Sequence, residues 1–373
     1  MKKTFFLVLA LYAIVNCYSQ TSKEFYKRGI IKDSLKDYKG AIDDYTKAIE
    51  LDIKFTDAYS KRGTAKGILE DDIQGAIADF NKAIEIDHNS KDAYKKRGWI
   101  KSYSYLKDYQ GAITDFTKAI EIDPNDSSVY KNRADAKREL QDYRGAVEDY
   151  SKAIEISPNN EYHYIDRGIA KIGLEDYQGA ITDYSKALEI NPKKAYVYSN
   201  RGVAKVGLED YQGAITDYTK SIELDPNNNS AYFNRGLAKV DLEDYRGAIA
   251  DYNKAIEIDS NNGNAYKNRG YAKYKLQDYR GAIADYTKVI SITPSNSPYF
   301  LRGSAKRNLK DYQGAILDYT KAIQLDPNDA GAHIERGLAK IKLKQKNSGC
   351  LDLSKAGELG EEYAYEAIKK YCN

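Results

Sequence analysis

Histidine and cysteine are scarce in this chain, whose 373 residues include only three of each. Charge of neither sign dominates, since 58 Lys and Arg stand against 55 Asp and Glu. So few His and Cys provide few ligands for a metal site, and we expect neither a metal nor another cofactor. The net charge is only +3, and the sequence has no cluster of positive charge of the kind that a nucleic-acid or anionic-membrane binder needs. We therefore expect no nucleic-acid partner.

A long apolar run is also missing. The run over residues 4–15 is shorter than the roughly 20 residues that cross a bilayer as a helix, so we expect no integral membrane span. A Lys-Lys start and small residues after the run are typical of a secretory signal peptide. We expect residues 1–19 to be cleaved after Ser19 and the protein to be periplasmic or secreted. The alternatives are a lipoprotein acylated at Cys17, which the bulky Asn16 disfavours, and a buried N-terminal helix, which would need a polar face.

The rest of the chain is one unit repeated ten times. Arg-Gly recurs at spacings of 33 to 36 residues, with Arg133-Ala134 in the fourth copy. We call the Gly or Ala of each copy its anchor. A Tyr usually lies four residues before the anchor and a Lys lies three after it, and Asp-Tyr, Gly-Ala-Ile and Lys-Ala-Ile-Glu-Ile follow. The ten anchors are Gly29, Gly63, Gly98, Ala134, Gly168, Gly202, Gly236, Gly270, Gly303 and Gly337.

Each copy is predicted to contain two amphipathic helices. Helix A runs from before the Tyr to the Leu that lies six residues after the anchor. Helix B starts at Tyr-x-Gly-Ala, where the preceding Asp is a good N-cap, and it ends near Asp-Pro, because proline stops a helix. No single copy can bury its apolar face, so the copies are expected to stack.

This unit resembles the tetratricopeptide repeat. The matching residues of the sixth copy are Tyr198, Gly202, Ala214, Tyr218, Ser221 and Pro226. The family's usual Leu before the glycine and Tyr three residues after it are replaced here by Arg and Lys. The fold we expect is all-α, a right-handed α-solenoid of about ten helix-turn-helix repeats forming one structural domain. The array would cover residues 22–345, as nine full copies and the start of a tenth, followed by a divergent end and capping helix over 346–373.

Arginine and lysine recur on the face of helix A that turns toward helix B. Arg precedes all ten anchors and Lys lies three residues after each of them. Charges on a buried face need partners, and we expect each Arg to pair with an Asp of helix B, inside its copy or in a neighbour. The alternative is that these side chains extend into water. The recurrent acids are Asp44, Asp79, Asp115, Asp149, Asp183, Asp217, Asp251, Asp285 and Asp318.

Function is expected at places that vary while the framework is constant. The places three before, one after and four after the anchor form a stripe on helix A, and in a solenoid of this kind that stripe lines the concave surface. Its apolar members suggest a groove for an extended peptide or helix of a protein partner, unless neighbouring helices cover them. The candidate ligand-binding residues are Trp99, Ile165, Ile169, Ile172, Val203, Val206, Phe233, Leu237, Val240, Tyr271 and Tyr274.

Two other functions find less support. Repeat proteins that clamp a C-terminal carboxylate of chaperones use an Asn directly after the glycine, and none of the ten copies has one. No catalytic residues can be named, because His88, His163 and His333 lack a recurring acid and nucleophile around them. We therefore expect a non-enzymatic scaffold. The alternatives are a structural subunit of a cell-envelope assembly and, less favoured, an enzyme.

The tenth copy departs from the repeat at Asn347-Ser348-Gly349-Cys350. Its second helix should break between Gly357 and Gly360, and residues 361–371 read as an extra helix that caps the stack. The Lys-Ala-Gly-Glu-Leu-Gly stretch resembles the helix ends of Sel1-type repeats. If the last two helices form an antiparallel hairpin, Cys350 and Cys372 reach the same end. In an exported protein we expect them to form a disulfide, the alternative being two buried thiols.

Overall fold

The computed structural model describes residues 21–69, 72–103 and 105–372, and this part of the chain is helical and contains no strand. The expected signal peptide lies outside the described residues. Among those residues, no helix combines the length and apolar character required to traverse a membrane.

Ten helix pairs follow one another along the described residues, which confirms the all-α fold of helix-turn-helix repeats. The A helices are α1 (Thr21–Ser34), α3 (Thr56–Leu69), α5 (Lys91–Tyr103), α7 (Ser127–Glu139), α9 (Glu161–Gly173), α11 (Ala195–Gly207), α13 (Asn229–Asp241), α15 (Gly263–Lys275), α17 (Asn296–Asn308) and α19 (Ala330–Lys342). The B helices are α2 (Tyr38–Leu51), α4 (Ile73–Ile86), α6 (Tyr109–Ile122), α8 (Tyr143–Ile156), α10 (Tyr177–Ile190), α12 (Tyr211–Leu224), α14 (Tyr245–Ile258), α16 (Tyr279–Ile292), α18 (Tyr312–Leu325) and α20 (Lys346–Glu358), and α21 (Glu362–Tyr371) follows them.

The joint between helices A and B has the same chemistry in most copies. In the seventh copy the Asp244 carboxylate accepts a hydrogen bond of 2.9 Å from the backbone N–H of Gly247, which satisfies a free donor at the start of α14. A Cβ at Gly247 would lie 2.0 Å from that carboxylate, so the carboxylate would have to shift to admit any other residue. The residue before the cap adopts a left-handed conformation although it is never glycine. These residues are Lys36, Lys107, Gln141, Glu175, Glu209, Glu243, Gln277, Lys310 and Lys344.

The anchor glycine lets helix A approach an aromatic ring of helix B. A Cβ on Gly236 would lie 2.7 Å from Cε1 of Tyr252, whose side chain is fully buried. The equivalent ring is also buried in the other copies that have one, so these rings form part of the core. These rings belong to Tyr45, Phe80, Phe116, Tyr150, Tyr184, Tyr218, Tyr286 and Tyr319.

The recurrent arginine pairs with an aspartate inside its own copy. In the seventh copy Arg235 donates to Asp251 from Nε at 3.0 Å and from Nη2 at 2.6 Å, and Lys239 Nζ lies 2.7 Å from the same carboxylate. The arginine side chain is 16% exposed and the aspartate 4%. The expected pairing is thus confirmed, and full solvation of these groups is excluded. The tenth copy adds an acid that sequence reasoning missed, Asp352, which binds Arg336 and Lys340.

The same arginines also join neighbouring copies. Arg235 Nη1 donates to Thr219 Oγ1 of the preceding copy at 2.9 Å. Each planar guanidinium can hold a carboxylate with two N–H groups and still reach a third oxygen. Equivalent bonds join Arg62 to Thr46, Arg97 to Asn81, Arg133 to Thr117, Arg167 to Ser151, Arg269 to Asn253, Arg302 to Thr287 and Arg336 to Thr320.

The helices group into two compact units, where the sequence predicted a single structural domain. The first unit ends at Asn191 and the second begins at Pro192, in the joint between α10 and α11. Each unit has its own buried clusters, such as Ala112, Phe116 and Val129 in the first. Helices contact mainly their neighbours in sequence, so the core is a series of small clusters and no copy contributes to a shared centre.

The C-terminal end of the second unit is closed by α21. Ala364 and Ala367 of this helix pack against Leu353 and Ala356 of α20. A disulfide joins Cys350 near the start of α20 to Cys372, with 5.8 Å between the two Cα atoms. Helix α20 ends before Gly360, where φ is +94°, and α21 begins two residues later.

Candidate functional site

Of the three places of the stripe on helix A, the place directly after the anchor is the most exposed. We call the residues at this place the post-anchor row: Ile30, Thr64, Trp99, Asp135 and Ile169 in the first unit, and Val203, Leu237, Tyr271, Ser304 and Leu338 in the second. In the first unit Trp99 is 42% exposed and Ile169 is 37% exposed. In the second unit Val203 is 42% exposed and Tyr271 is 37% exposed, and Leu237 between them is half-buried. Apolar side chains thus meet solvent on both units.

Helix geometry explains why this row is more exposed than the other two places of the stripe. The anchor faces helix B. Successive residues turn by about 100°, so the residue after the anchor points about 100° away from that contact. The residues three before and four after the anchor point only about 60° and 40° away. They are consequently more buried, and Ile172, Val206, Phe233, Val240 and Tyr274 are all half-buried.

Ile165 does not lie on the surface, although the sequence pattern placed it in the groove. Its side chain is only 3% exposed, because the place three residues before the anchor turns toward the helix interface. Phe233 and Tyr274 are engaged as well. The Phe233 ring lies 5.9 Å from that of Tyr252, and the Tyr274 hydroxyl accepts a hydrogen bond from Asn308. The accessible candidates are therefore mainly those of the post-anchor row.

A buried polar network interrupts the apolar row in the first unit. Asp135 is 7% exposed, and its carboxylate accepts hydrogen bonds from Tyr103 at 2.8 Å, Tyr150 at 2.6 Å and Lys131 at 2.6 Å. Burial next to this carboxylate raises the pKa of the Tyr150 hydroxyl. The Tyr103 ring stacks on Trp99 at 5.5 Å. The network therefore holds the exposed Trp99–Tyr103 pair in one orientation.

Two cavities open beside the row, one in each unit. The first, of about 280 Å³, is lined by Ser102, Tyr103, Lys107, Tyr109, Asp135, Ala136, Arg138 and Glu139. The second, of about 500 Å³, is lined by Arg307, Asn308, Lys310, Tyr312, Leu338, Ala339, Ile341, Lys342 and Tyr371. Sequence reasoning missed both cavities, since it followed apolar residues and both are lined largely by polar side chains. The sequence signal that could have indicated the second cavity was a second basic residue, Lys310, shortly after Arg307.

The histidines do not form a reactive centre. His88 is exposed in a turn, whereas His163 and His333 are buried with Nδ1 unpartnered. Burial lowers the pKa of His163. Within residues 21–69, 72–103 and 105–372, no group of three or more His, Cys, Asp or Glu side chains could hold a metal ion.

Comparison with family models covers most of the array. A model described as TPR repeat matches residues 172–209, 207–243, 236–277 and 303–344. Two models described as Tetratricopeptide repeat match residues 127–160 in one case and residues 25–52, 101–126 and 263–296 in the other. No curated protein matches the chain.

Solved structures share the fold. A tetratricopeptide repeat protein from Parabacteroides merdae ATCC 43184 is 20% identical with a TM-score of 0.50, over 67% of this chain and 98% of that one. YrrB, a TPR protein with an unusual peptide-binding site, is 25% identical with a TM-score of 0.45, over 52% of this chain and 97% of its own. Yeast Tom70 is 16% identical with a TM-score of 0.40, over 95% of each chain. At these identities the likeness concerns the fold alone.

Proposed function

Because this chain belongs to the tetratricopeptide repeat family, whose fold is typical of protein–protein interaction, we propose that it is an exported, non-enzymatic scaffold. Its post-anchor row binds an extended peptide or a helix of a protein partner. The observation that supports this most directly is the solvent exposure of Trp99, Ile169, Val203 and Tyr271 at one repeated place.

The second unit offers the longer apolar stretch. Val203, Leu237 and Tyr271 follow one another in three successive copies, so a bound segment can bury apolar side chains against each of them. In the first unit Asp135 lies between Trp99 and Ile169, and its carboxylate is already bound by three neighbours. A partner would contact the ring of Trp99 there without disturbing the network. We propose that affinity comes mainly from the second unit.

Site-specific crosslinking tests the position of the partner. A photoreactive amino acid replaces Val203 or Leu237, and the control position is Leu317, which is 64% exposed on helix B of the ninth copy. Crosslinking in the native envelope, followed by mass spectrometry, should recover one discrete partner from the row and not from Leu317. Equal recovery from all three positions would contradict the proposal. A large stable complex would favour the structural subunit of an envelope assembly instead.

A triple substitution tests the apolar row itself. Replacing Ile169, Val203 and Leu237 with Ser should abolish capture of the identified partner while the helix content seen by circular dichroism stays unchanged. Leu317→Ser is the matched control, because it also removes an exposed apolar side chain. Capture that survives the triple substitution would exclude the row as the binding site.

Export is supported by the composition of residues 1–19 alone. The mature protein should begin at Gln20, and its intact mass after expression in the native host would show this directly. A mass that carries acyl chains on an N-terminal Cys17 would show lipidation, and an uncleaved N-terminus would contradict export through this segment.

A further inference from the structure

The two cavities occupy the same place in the repeat. Each lies between two successive copies and is bounded by the left-handed lysine of one joint, Lys107 in the first unit and Lys310 in the second. Each also has the tyrosine that begins the next helix B, Tyr109 or Tyr312, in its wall. The repeat residues that line the two cavities occupy corresponding places in their copies. The side chains that differ between these places therefore decide what each cavity can bind.

The differences change the charge of the wall. The charged residues that line the first cavity are two acids, Asp135 and Glu139, and two bases, Lys107 and Arg138. In the second cavity the place of Asp135 is taken by Leu338 and that of Glu139 by Lys342. The first wall is thus balanced, while the second wall carries an excess of positive charge next to an apolar side chain.

Two cations of the second cavity are available to a ligand. Arg307 is engaged by Glu335, which lies outside the wall and whose pKa is raised by burial. Lys310 and Lys342 are both exposed at the rim. A ligand carboxylate that enters this cavity would therefore meet two ammonium groups of its lining, a favourable charge complementarity.

The other side of the cavity is apolar and fixed. Leu338 and Ile341 of α19 and Tyr371, the last residue of α21, pack against the same buried cluster and line the cavity. Tyr371 precedes Cys372, which the disulfide joins to α20. This wall is consequently held in place by the cap of the array, and the cavity of about 500 Å³ is large enough for a bulky side chain.

We propose that the second cavity binds a peptide segment in which an acidic side chain lies next to a bulky apolar one. The carboxylate would bind between Lys310 and Lys342, and the apolar side chain would contact Leu338 and Tyr371. This inference rests on the proposed function in one respect, since Leu338 belongs to the post-anchor row.

Fluorescence anisotropy with defined peptides tests the inference on the full chain. The probe is fluorescein-labelled Glu-Leu-Glu-Leu-Glu-Leu, and the control peptides replace every Glu with Lys or every Leu with Ser. We expect saturable binding of the probe, at least tenfold weaker binding of each control peptide, and weaker binding at high salt, since exposed charges are screened. Equal binding of all three peptides, or no binding of the probe, would overturn the proposal.

A charge-matched pair of variants locates the site. Lys310→Glu with Lys342→Glu should weaken probe binding at least tenfold. Lys107→Glu with Lys288→Glu makes the same change in net charge, at the equivalent joint of the first unit and at an exposed place on α16, and should leave binding within twofold. Equal loss in both double variants would show a response to overall charge and would refute the site, as would full binding by the first variant.

The same measurement separates this inference from the proposed function. The triple variant at Ile169, Val203 and Leu237 retains the lysines and the apolar wall of the cavity. It should bind the probe normally even where it fails to capture the partner. If it captures the partner, the proposed function fails while the probe result stands. If it loses the probe, the cavity does not bind on its own and the inference fails.

Discussion

The repeated Arg–Asp–Lys set makes a quantitative prediction about stability, best examined in the seventh copy. Replacing Arg235 with Leu removes two hydrogen bonds to Asp251, a carboxylate that is 4% exposed, and the bond to Thr219 of the preceding copy. Breaking a buried ion pair by deleting one partner costs about 3–5 kcal/mol. Lys239 remains 2.7 Å from the carboxylate, so the cost should fall at the lower end, about 3 kcal/mol.

The assay has to measure the stability of one part of the repeat array. Unfolding in urea followed by circular dichroism gives the global free energy, and hydrogen exchange of the α13 and α14 amides shows whether the loss is local, as expected for a chain of neighbouring interfaces. The control is Lys254→Met. It breaks the Lys254–Glu257 pair, whose side chains are 56% and 68% exposed, and should leave the free energy of unfolding nearly unchanged. A loss below about 0.5 kcal/mol for Arg235→Leu would refute the role of the buried pair.

Three further predictions concern the cap, the joints and the response to acid. Intact mass with and without reductant should show that Cys350 and Cys372 form a disulfide in the exported protein, and two free thiols in the native protein would contradict the bond. Replacing both with Ser should destabilise the cap by about 3 kcal/mol in the chain-entropy model. Glu243→Gly should stabilise the protein by about 0.5–1 kcal/mol, because the φ of 57° is costly for any residue with a Cβ, whereas Glu243→Ala keeps that cost and should change little. An unchanged urea midpoint in the glycine variant would show that the joint is unstrained. Hydrogen bonding by Arg28 lowers the pKa of Asp44 to about 2 in the folded protein, whereas the pKa of an unfolded Asp is near 4. The ionised carboxylate therefore stabilises the folded state above about pH 4. This contribution disappears as the pH falls toward 2. Exchange of the α2 amides should therefore accelerate over that range in the wild type and less in Asp44→Asn; identical profiles would rule out Asp44 as the cause.

Local sequence signals were sufficient for the repeat and its helices. The 33- to 36-residue spacing, the Asp N-caps such as Asp244 and the prolines after helix B depend on contacts within a few residues, so their structural meaning can be read from the chain. The pairing of Arg235 with an aspartate also followed from sequence, because a charge on a buried face needs a counter-charge and only one acid recurs with the same regularity.

Which side chains of the predicted stripe are covered by neighbouring helices could be seen only in the tertiary structure. Ile165 and Ile169 are equally apolar and belong to the same predicted stripe, yet one is 3% exposed and the other 37%. Periodicity places the two side chains about 40° apart around α9, but how much of each is covered depends on how closely the neighbouring helices pack. The left-handed conformation of Glu243 was not predicted either. It belongs to the hydrogen-bonded end of α13, where the N–H of Asp244 donates to the carbonyl of Lys239, and glycine, which usually marks this place, is absent from it.

The charged cavity of the second unit was decided by tertiary packing alone. The sequence places Lys310 and Lys342 more than thirty residues apart, and Tyr371 farther still. Stacking of one copy on the next brings the two lysines to one opening, and the capping helix adds Tyr371 to its wall. The sequence by itself thus determined what each copy is, while the stack determined which side chains of different copies meet, because those contacts depend on the spacing and rotation between helix pairs.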